Sequence, residues 1–93
     1  MLKITVENHD KPLTLCLAGK LAGPWVDELR SVWRSLCSTN PQKKIAVDLA
    51  QVIFVDSNGR QLLALMLDQG ADFQNAQLLT RYIVDELKSA RTD

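Results

Sequence analysis

The chain has 93 residues, a length that can close one hydrophobic core and leaves no room for a second, so we expect a single domain over residues 1–93. Hydrophobic residues make up 46% and charged residues 24% of the sequence, which is typical of a globular protein and excludes a disordered or fibrous chain. Eleven Lys and Arg residues balance eleven Asp and Glu residues, so no long-range field attracts nucleic acid or an anionic membrane surface. Recognition of a partner must therefore depend on local contacts.

No segment of the sequence predicts secretion or membrane insertion. The first residues, MLKITVENHD, lack the apolar stretch of a signal peptide, and no later segment reaches the roughly 18 to 20 apolar residues of a membrane span. Cys16 and Cys37 belong to different predicted elements and form neither a CxxC redox motif nor a zinc-ligand pattern. We therefore predict a cytoplasmic protein with two buried free thiols and no disulfide.

Two strands are predicted at the start of the chain. Apolar side chains occupy every second position from Leu2 to Val6, which is the period of a strand with one face in the core. After Pro12, which favours a turn, the same alternation runs from Leu13 to Leu17. The second strand is the expected hairpin partner of the first.

The first helix is predicted to begin at Pro24, because proline suits a first helical position, where an amide hydrogen would have no partner. Apolar residues then recur at helical spacing and define a face that packs on a sheet. These residues are Trp25, Val26, Leu29, Trp33 and Leu36. The two tryptophans share that face and are interpreted as core anchors or groove walls. The segment Ser38-Thr39-Asn40-Pro41 ends the helix.

A third strand is predicted over residues 45–49, where even the intervening Ala46 is apolar, as in a central strand covered on both faces or nearly so. A further apolar run, residues 51–55, leads to a second helix that starts at or just after Ser57 and stops at Gly70. Residues 71–76 are assigned to a short fourth strand. A C-terminal helix follows, with four residues marking its apolar face and four on its solvent side. The first set is Leu79, Tyr82, Ile83 and Leu87, and the second is Arg81, Asp85, Glu86 and Lys88.

The predicted order is strand, strand, helix, strand, helix, strand, helix. Strands that alternate with helices indicate an α/β layer architecture, with helices packed on a mixed sheet of about four strands. Right-handed crossovers are expected between the parallel strands.

The densest functional signal is the stretch VDLAQVIFVDSNG at residues 47–59, a strand that runs into a short turn at the start of a helix. It resembles the core motif of the STAS family of anti-sigma factor antagonists, in which an acidic residue at a strand end is followed by an apolar segment and a D-S-x-G turn. The predicted order of elements matches that family over most of the chain. The resemblance therefore implies a STAS-like fold.

The resemblance also implies a regulatory module whose second helix docks onto a protein partner, either an anti-sigma factor or another kinase-like ATPase. The residues expected to contact that partner are Asp56, Ser57, Asn58, Gly59 and Arg60. In the family's regulated members the phosphorylated Ser or Thr directly precedes the glycine, and this sequence has Asn58 there. An asparagine has no hydroxyl to phosphorylate and carries no charge. The usual phosphoswitch is therefore predicted to be absent, with the surface held near its unphosphorylated, partner-binding state.

Ser57 is the local candidate for a phosphosite, because a phosphate at a helix N-terminus would meet unpaired N–H groups and a favourable dipole. We favour a structural role, in which Ser57 is the N-cap of the second helix and contributes about 1 kcal/mol. Asp56 is expected to cap or pin the turn, and Gly59 to allow close packing of the backbone.

Catalysis, cofactor binding and metal binding are not indicated. His9 is the single histidine and is interpreted as an exposed turn residue rather than a general base. The sequence contains no GxxxxGK or GxGxxG phosphate loop and no metal-ligand spacing. We therefore predict a protein that is not an enzyme. An alternative partner follows from the resemblance, since STAS-like domains also serve as accessory subunits of ABC-type transport ATPases and occur on sulfate transporters.

Overall fold

The computed structural model describes residues 2–7, 13–39, 44–76 and 78–91, with the side chains of residues 78, 79, 90 and 91 excepted. Four strands and three helices lie in these ranges. They are β1 (Leu2–Glu7), β2 (Thr14–Leu21), α1 (Pro24–Thr39), β3 (Ala46–Val55), α2 (Ser57–Asp68), β4 (Asp72–Gln74) and α3 (Leu78–Arg91). The predicted α/β class and order of elements are confirmed. The two apolar runs at 45–49 and 51–55 form one long strand.

The strands form a single mixed sheet in the order β1-β2-β3-β4. β1 and β2 are antiparallel, with Leu2 opposite Gly19, whereas β2 with β3 and β3 with β4 are parallel. α1 and α2 each connect a strand to the next strand in the same direction across the sheet. Crossovers of one hand therefore place both helices on one face.

The hydrophobic core lies between that face of the sheet and the helices. Leu15 and Leu17 of β2 point into it beside Val47 and Leu49 of β3, which confirms the predicted alternation. The helices contribute buried side chains to the same cluster, including Leu29, Trp33, Leu62, Leu63, Met66 and Val84. Trp33 is a core anchor, as predicted, and its Nε1–H donates to Oε1 of Gln69 over 2.7 Å. Trp25 is only partly buried against the core.

The other face of the sheet is open among the described residues, which corrects the expectation that the third strand is covered on both faces. Asp48 and Ala50 are half-buried and Gln51 is exposed. They line a groove of about 290 Å³ together with side chains of β1 and β2. Ala46, whose apolar side chain led to the expectation of a second covered face, is itself buried.

The buried face of α3 differs from the predicted one. Val84 and Thr80 are buried, whereas Tyr82 is 67% exposed, so its assignment to the core was wrong. The Thr80 hydroxyl donates to the carbonyl of Val52 over 3.4 Å, and this bond lets a polar residue occupy the helix face that meets β3. The side chain of Leu79 lies outside the described residues. Two other predicted core residues are half-buried, Ile83 and Leu87. The predicted solvent side is confirmed, since Arg81, Asp85, Glu86 and Lys88 are exposed.

Both cysteines are free thiols, as predicted, but they are half-buried rather than buried. Burial raises the pKa of Cys37. Burial is also the largest cause of the raised pKa of Cys16, and the carboxylate of Glu7 adds to it by its charge and by accepting a hydrogen bond from the thiol over 3.6 Å. Each thiol therefore resists conversion to the nucleophilic thiolate.

In a Cys37→Ser background, we expect alkylation of Cys16 by the uncharged reagent iodoacetamide to give a pH–rate profile with a pKa above that of a free cysteine. Glu7→Gln removes the nearby charge and should move that pKa downward. Glu28→Gln, an exposed substitution on α1, is the matched control and should leave the profile unchanged. Identical profiles for the Glu7 variant and its parent would contradict the contribution of Glu7.

Candidate functional site

The D-S-N-G turn, residues 56–59, lies where β3 ends and α2 begins. β3 runs parallel to β2, and Val55 lies opposite Leu21, so the two strands end at the same edge of the sheet. After β2, Gly23 leads into α1, whose first residue is Pro24. The first turns of α1 and α2 therefore meet at the carboxyl edge of the parallel strands, the edge at which α/β folds commonly place their sites.

Asp56 connects these elements through both its side chain and its backbone. Its Oδ1 accepts the N–H of Gly59 over 2.7 Å, and its Oδ2 accepts the N–H of Gly23 over 3.0 Å. Its own N–H donates to the carbonyl of Leu21 over 3.1 Å, and its carbonyl accepts the N–H of Arg60 over 2.9 Å. One residue thus joins the end of β2, the start of α1 and the first turn of α2.

The N-cap of α2 is Asp56, so the prediction that Ser57 caps this helix was wrong. Asp56 has an extended backbone, with φ −85° and ψ −178°, and its carboxylate reaches the N–H three residues later, as a capping residue does. Ser57 is the first helical residue and is exposed. The prediction that Asp56 caps or pins the turn is confirmed.

Three backbone N–H groups hold the pKa of Asp56 below its ordinary value. The N–H of Gly59 has the largest effect, followed by that of Gly23, and the N–H of Asn58 adds to them against an opposing effect of desolvation. Asp56 therefore remains an anion well into the acid range, and its charge is met by amides at the starts of two helices.

Because the pKa of Asp56 is lowered in the folded state, its contribution to stability is complete above the ordinary aspartate pKa and is lost as pH falls through the lowered value. We expect Asp56→Asn to unfold at lower urea concentration than the wild type at pH 7. The difference in free energy of unfolding between the wild type and Asp56→Asn should narrow below about pH 3.9. Ser57→Ala, in the same turn, is the control and should follow the wild-type pH profile. A gap that stays constant from pH 7 to pH 3 would exclude the linkage.

Gly59 is buried in the first turn of α2 because the helix approaches β2 closely there. A Cβ atom at this position would lie 2.5 Å from the carbonyl oxygen of Leu21, 2.9 Å from its Cγ and 3.1 Å from Cγ1 of Val55. The closest of these atoms is backbone and already accepts the N–H of Asp56. Only glycine fits, which confirms the predicted close packing.

Gly59→Ala should destabilise the protein by about 1 to 3 kcal/mol, since the added methyl group must displace the helix or the end of β2. At a helix position with space for a methyl group, Gly→Ala would stabilise the protein by up to about 1 kcal/mol. Destabilisation by Gly59→Ala would therefore show that this position lacks that space. Asn58→Ala, at the adjacent exposed position, is the matched control and should change stability by less than about 0.5 kcal/mol. Urea denaturation of the three proteins measures both effects.

Arg60 is engaged within the chain. Its guanidinium forms an ion pair with Glu86 of α3 over 2.6 Å, and both side chains are about half-exposed, at 41% and 46%. An exposed pair of this kind contributes little to stability. It does orient Arg60 toward α3, so a partner that uses Arg60 must compete with Glu86.

The predicted site residues divide by accessibility. Ser57 and Asn58 are exposed, Asp56 and Arg60 are half-buried, and Gly59 is buried beneath them. The fully exposed side chains of the turn are therefore those of the first two helical residues, with the Arg60 side chain about half-exposed beside Glu86.

Two exposed apolar residues before the turn were missed by the sequence interpretation. Ile53 is 66% exposed and Phe54 is 50% exposed, although both belong to a run that suggests a buried strand. The pairing of β2 with β3 shifts register twice, and at the second shift Gly19 pairs with Val52 while Lys20 pairs with Phe54. The sequence contains the apolar residues, but their direction depends on a register that no local pattern specifies.

No group of three or more His, Cys, Asp and Glu side chains suited to a metal ion occurs in the described part of the chain. None of the helices within the described ranges has both the length and the apolar character to cross a membrane. His9 lies outside the described residues.

Solved structures of anti-sigma factor antagonists share this fold. The crystal structure of an anti-sigma factor antagonist from Mycobacterium paratuberculosis matches with a TM-score of 0.79 and 19% identity, over 97% of this chain and 80% of that one. The anti-sigma factor antagonist SpoIIAA in its unphosphorylated form matches with a TM-score of 0.70 and 14% identity, over 98% of this chain and 100% of that one. No protein-family model and no curated protein matches the sequence. The chain therefore has the fold of the anti-sigma factor antagonists, which confirms the fold implied by the D-S-N-G motif.

Proposed function

We propose that this chain is a non-catalytic protein-interaction module of the STAS type, which docks a protein partner through the D-S-N-G turn and the first turn of α2. The observation that carries the proposal is the exposure of Ser57 and Asn58 on a turn that Asp56 and Gly59 hold rigidly from beneath. In this proposal residues 1–93 act as one domain in the cytoplasm.

Rigidity of the turn supports a binding role. The backbone of Asp56 is fixed by Leu21 and Arg60, and its side chain is fixed by Gly23 and Gly59. A surface that is already ordered loses little conformational entropy when a partner binds. The exposed side chains of the turn can therefore contribute contact energy without first being ordered.

Asn58 determines how this surface is regulated. A phosphorylated hydroxyl would add nearly two negative charges at the start of α2. Asn58 has no hydroxyl, so the module keeps a neutral surface and binds its partner constitutively. The partner that best fits the shared fold is an anti-sigma factor or another kinase-like ATPase.

The proposal is tested by affinity co-purification from native cytosol with the wild type, Asn58→Asp and Ser31→Asp, and mass spectrometry of the retained proteins. The wild type should retain a kinase-like ATPase, and Asn58→Asp should weaken that complex at least tenfold when the partner is purified and titrated by calorimetry. An aspartate in the first turn of α2 favours the helix, so weaker binding would not reflect a weaker fold. Ser31→Asp places the same charge on an exposed position of α1 and should bind as the wild type does.

Equal recovery of the same partners by all three proteins would remove the turn from the interface. Recovery of a stoichiometric transport ATPase would assign the chain to an accessory subunit of an ABC-type transporter instead. The same mass spectra measure the phosphorylation state of Ser57. Phosphate on Ser57 would show that its hydroxyl serves as the phosphosite in place of a hydroxyl at position 58.

A further inference from the structure

β3 contains one residue more than its partner strand immediately before the turn. Gly19 pairs with Val52 and the next residue, Lys20, pairs with Phe54, so Ile53 is the extra residue of a β-bulge. Bulges are rare between parallel strands, and they re-aim side chains next to functional sites.

The bulge changes the direction of Phe54. Strict alternation after the buried Val52 would place Ile53 outside and Phe54 in the core. With the extra residue, Ile53 and Phe54 together oppose Lys20, and both are exposed. Single exposed apolar residues are common on protein surfaces, but two adjacent ones, of which Phe54 is re-aimed by a backbone irregularity, need a reason. We call these two side chains the apolar ridge.

The apolar ridge continues directly into the turn. Phe54 lies two residues before Asp56, and its strand partner Lys20 lies three residues before Gly23, whose N–H binds the Asp56 carboxylate. The ridge, the ends of both strands and the first turns of both helices therefore lie at one end of the sheet.

The charged side chain next to the apolar ridge is positive. Lys20 pairs with Phe54 and is exposed, and no acidic side chain among the described residues forms an ion pair with it. Of the carboxylates at the same end of the sheet, that of Asp56 accepts the N–H groups of Gly59 and Gly23, and that of Asp27 forms an ion pair with Arg30. An apolar group with an anion beside it is therefore complementary to this surface.

We infer that the apolar ridge and Lys20 bind an acidic, apolar segment of the partner protein, one that places a large apolar side chain over Phe54 and an Asp or Glu side chain near Lys20. This inference rests on the proposed function and names the chemistry of its partner. Buried aromatic contacts supply most of the energy of such interfaces, and the charge pair contributes orientation and rate.

A second copy of this chain fits the ridge poorly. A symmetric dimer brings the same patch of each copy together, so it would enclose two Lys20 side chains and no acidic side chain of the ridge in one contact. Like charges brought together in this way oppose association. The positive flank instead selects a partner with the opposite charge.

The test is a display selection of random 15-residue peptides on the full chain, followed by fluorescence anisotropy of the selected peptides. Peptides selected on the wild type should combine Asp or Glu with neighbouring Leu, Ile, Phe or Trp, and Lys20→Glu should shift the selection toward Lys and Arg. Phe54→Thr should weaken binding at least tenfold. Val6→Thr removes another exposed apolar side chain, on β1, and as the matched control should leave binding unchanged.

Selection of peptides without acidic residues, or equal affinity for the wild type and Phe54→Thr, would overturn the inference. Light scattering that shows a wild-type dimer abolished by Ile53→Thr would also overturn it and assign the ridge to a second copy. Failure of this inference can be distinguished from failure of the proposed docking through the D-S-N-G turn. If a co-purified partner is lost by Asn58→Asp but retained by Phe54→Thr, the turn docks the partner and the ridge does not.

Discussion

The carboxylate of Asp56 joins the starts of two helices. It accepts the N–H of Gly59 in α2 and the N–H of Gly23, which lies 33 residues before Asp56 at the start of α1. Each helix begins with N–H groups that its own turns cannot pair. A single side chain satisfies one of these groups in α2 and the N–H that precedes α1, so the two helices are fixed relative to each other and to β2. The position of the turn and of its exposed side chains follows from this bridge.

Close packing beneath the turn holds the same elements together as the Asp56 bridge does. Gly59 lets α2 approach the backbone of Leu21, and Leu21 in turn accepts the N–H of Asp56. The strand end, the cap and the helix therefore support one another, and Ser57 and Asn58 are left as the fully exposed side chains of the turn. The proposed docking through two small polar residues would depend on such support, because small side chains make few contacts of their own.

Most of the fold could be predicted from local patterns, because period-two and helical spacing report directly which side chains enter the core, as in Leu13 to Leu17. The errors arose where a choice depended on distant residues. Asp56 and Ser57 are both good capping residues, and the point at which β3 leaves the sheet decides between them. Tyr82 has the spacing of a core residue, but the face of α3 that carries Thr80 and Val84 is buried instead, with Thr80 bonded to the carbonyl of Val52. The exposure of Phe54 depends on strand register, which is a long-range property.

The extra residue in β3 also bears on how such a surface could arise during evolution. Substitutions change the chemistry of a side chain but not the number of side chains that a strand presents, whereas an inserted residue that forms a bulge adds one side chain and leaves the pairing beyond it in register. Loss of Ile53 would close the bulge and leave Phe54 opposite Lys20 as the single exposed apolar side chain there. Insertion or deletion of one residue at this point can therefore enlarge or reduce the exposed apolar surface in one step, while the Asp56 bridge and the core stay intact.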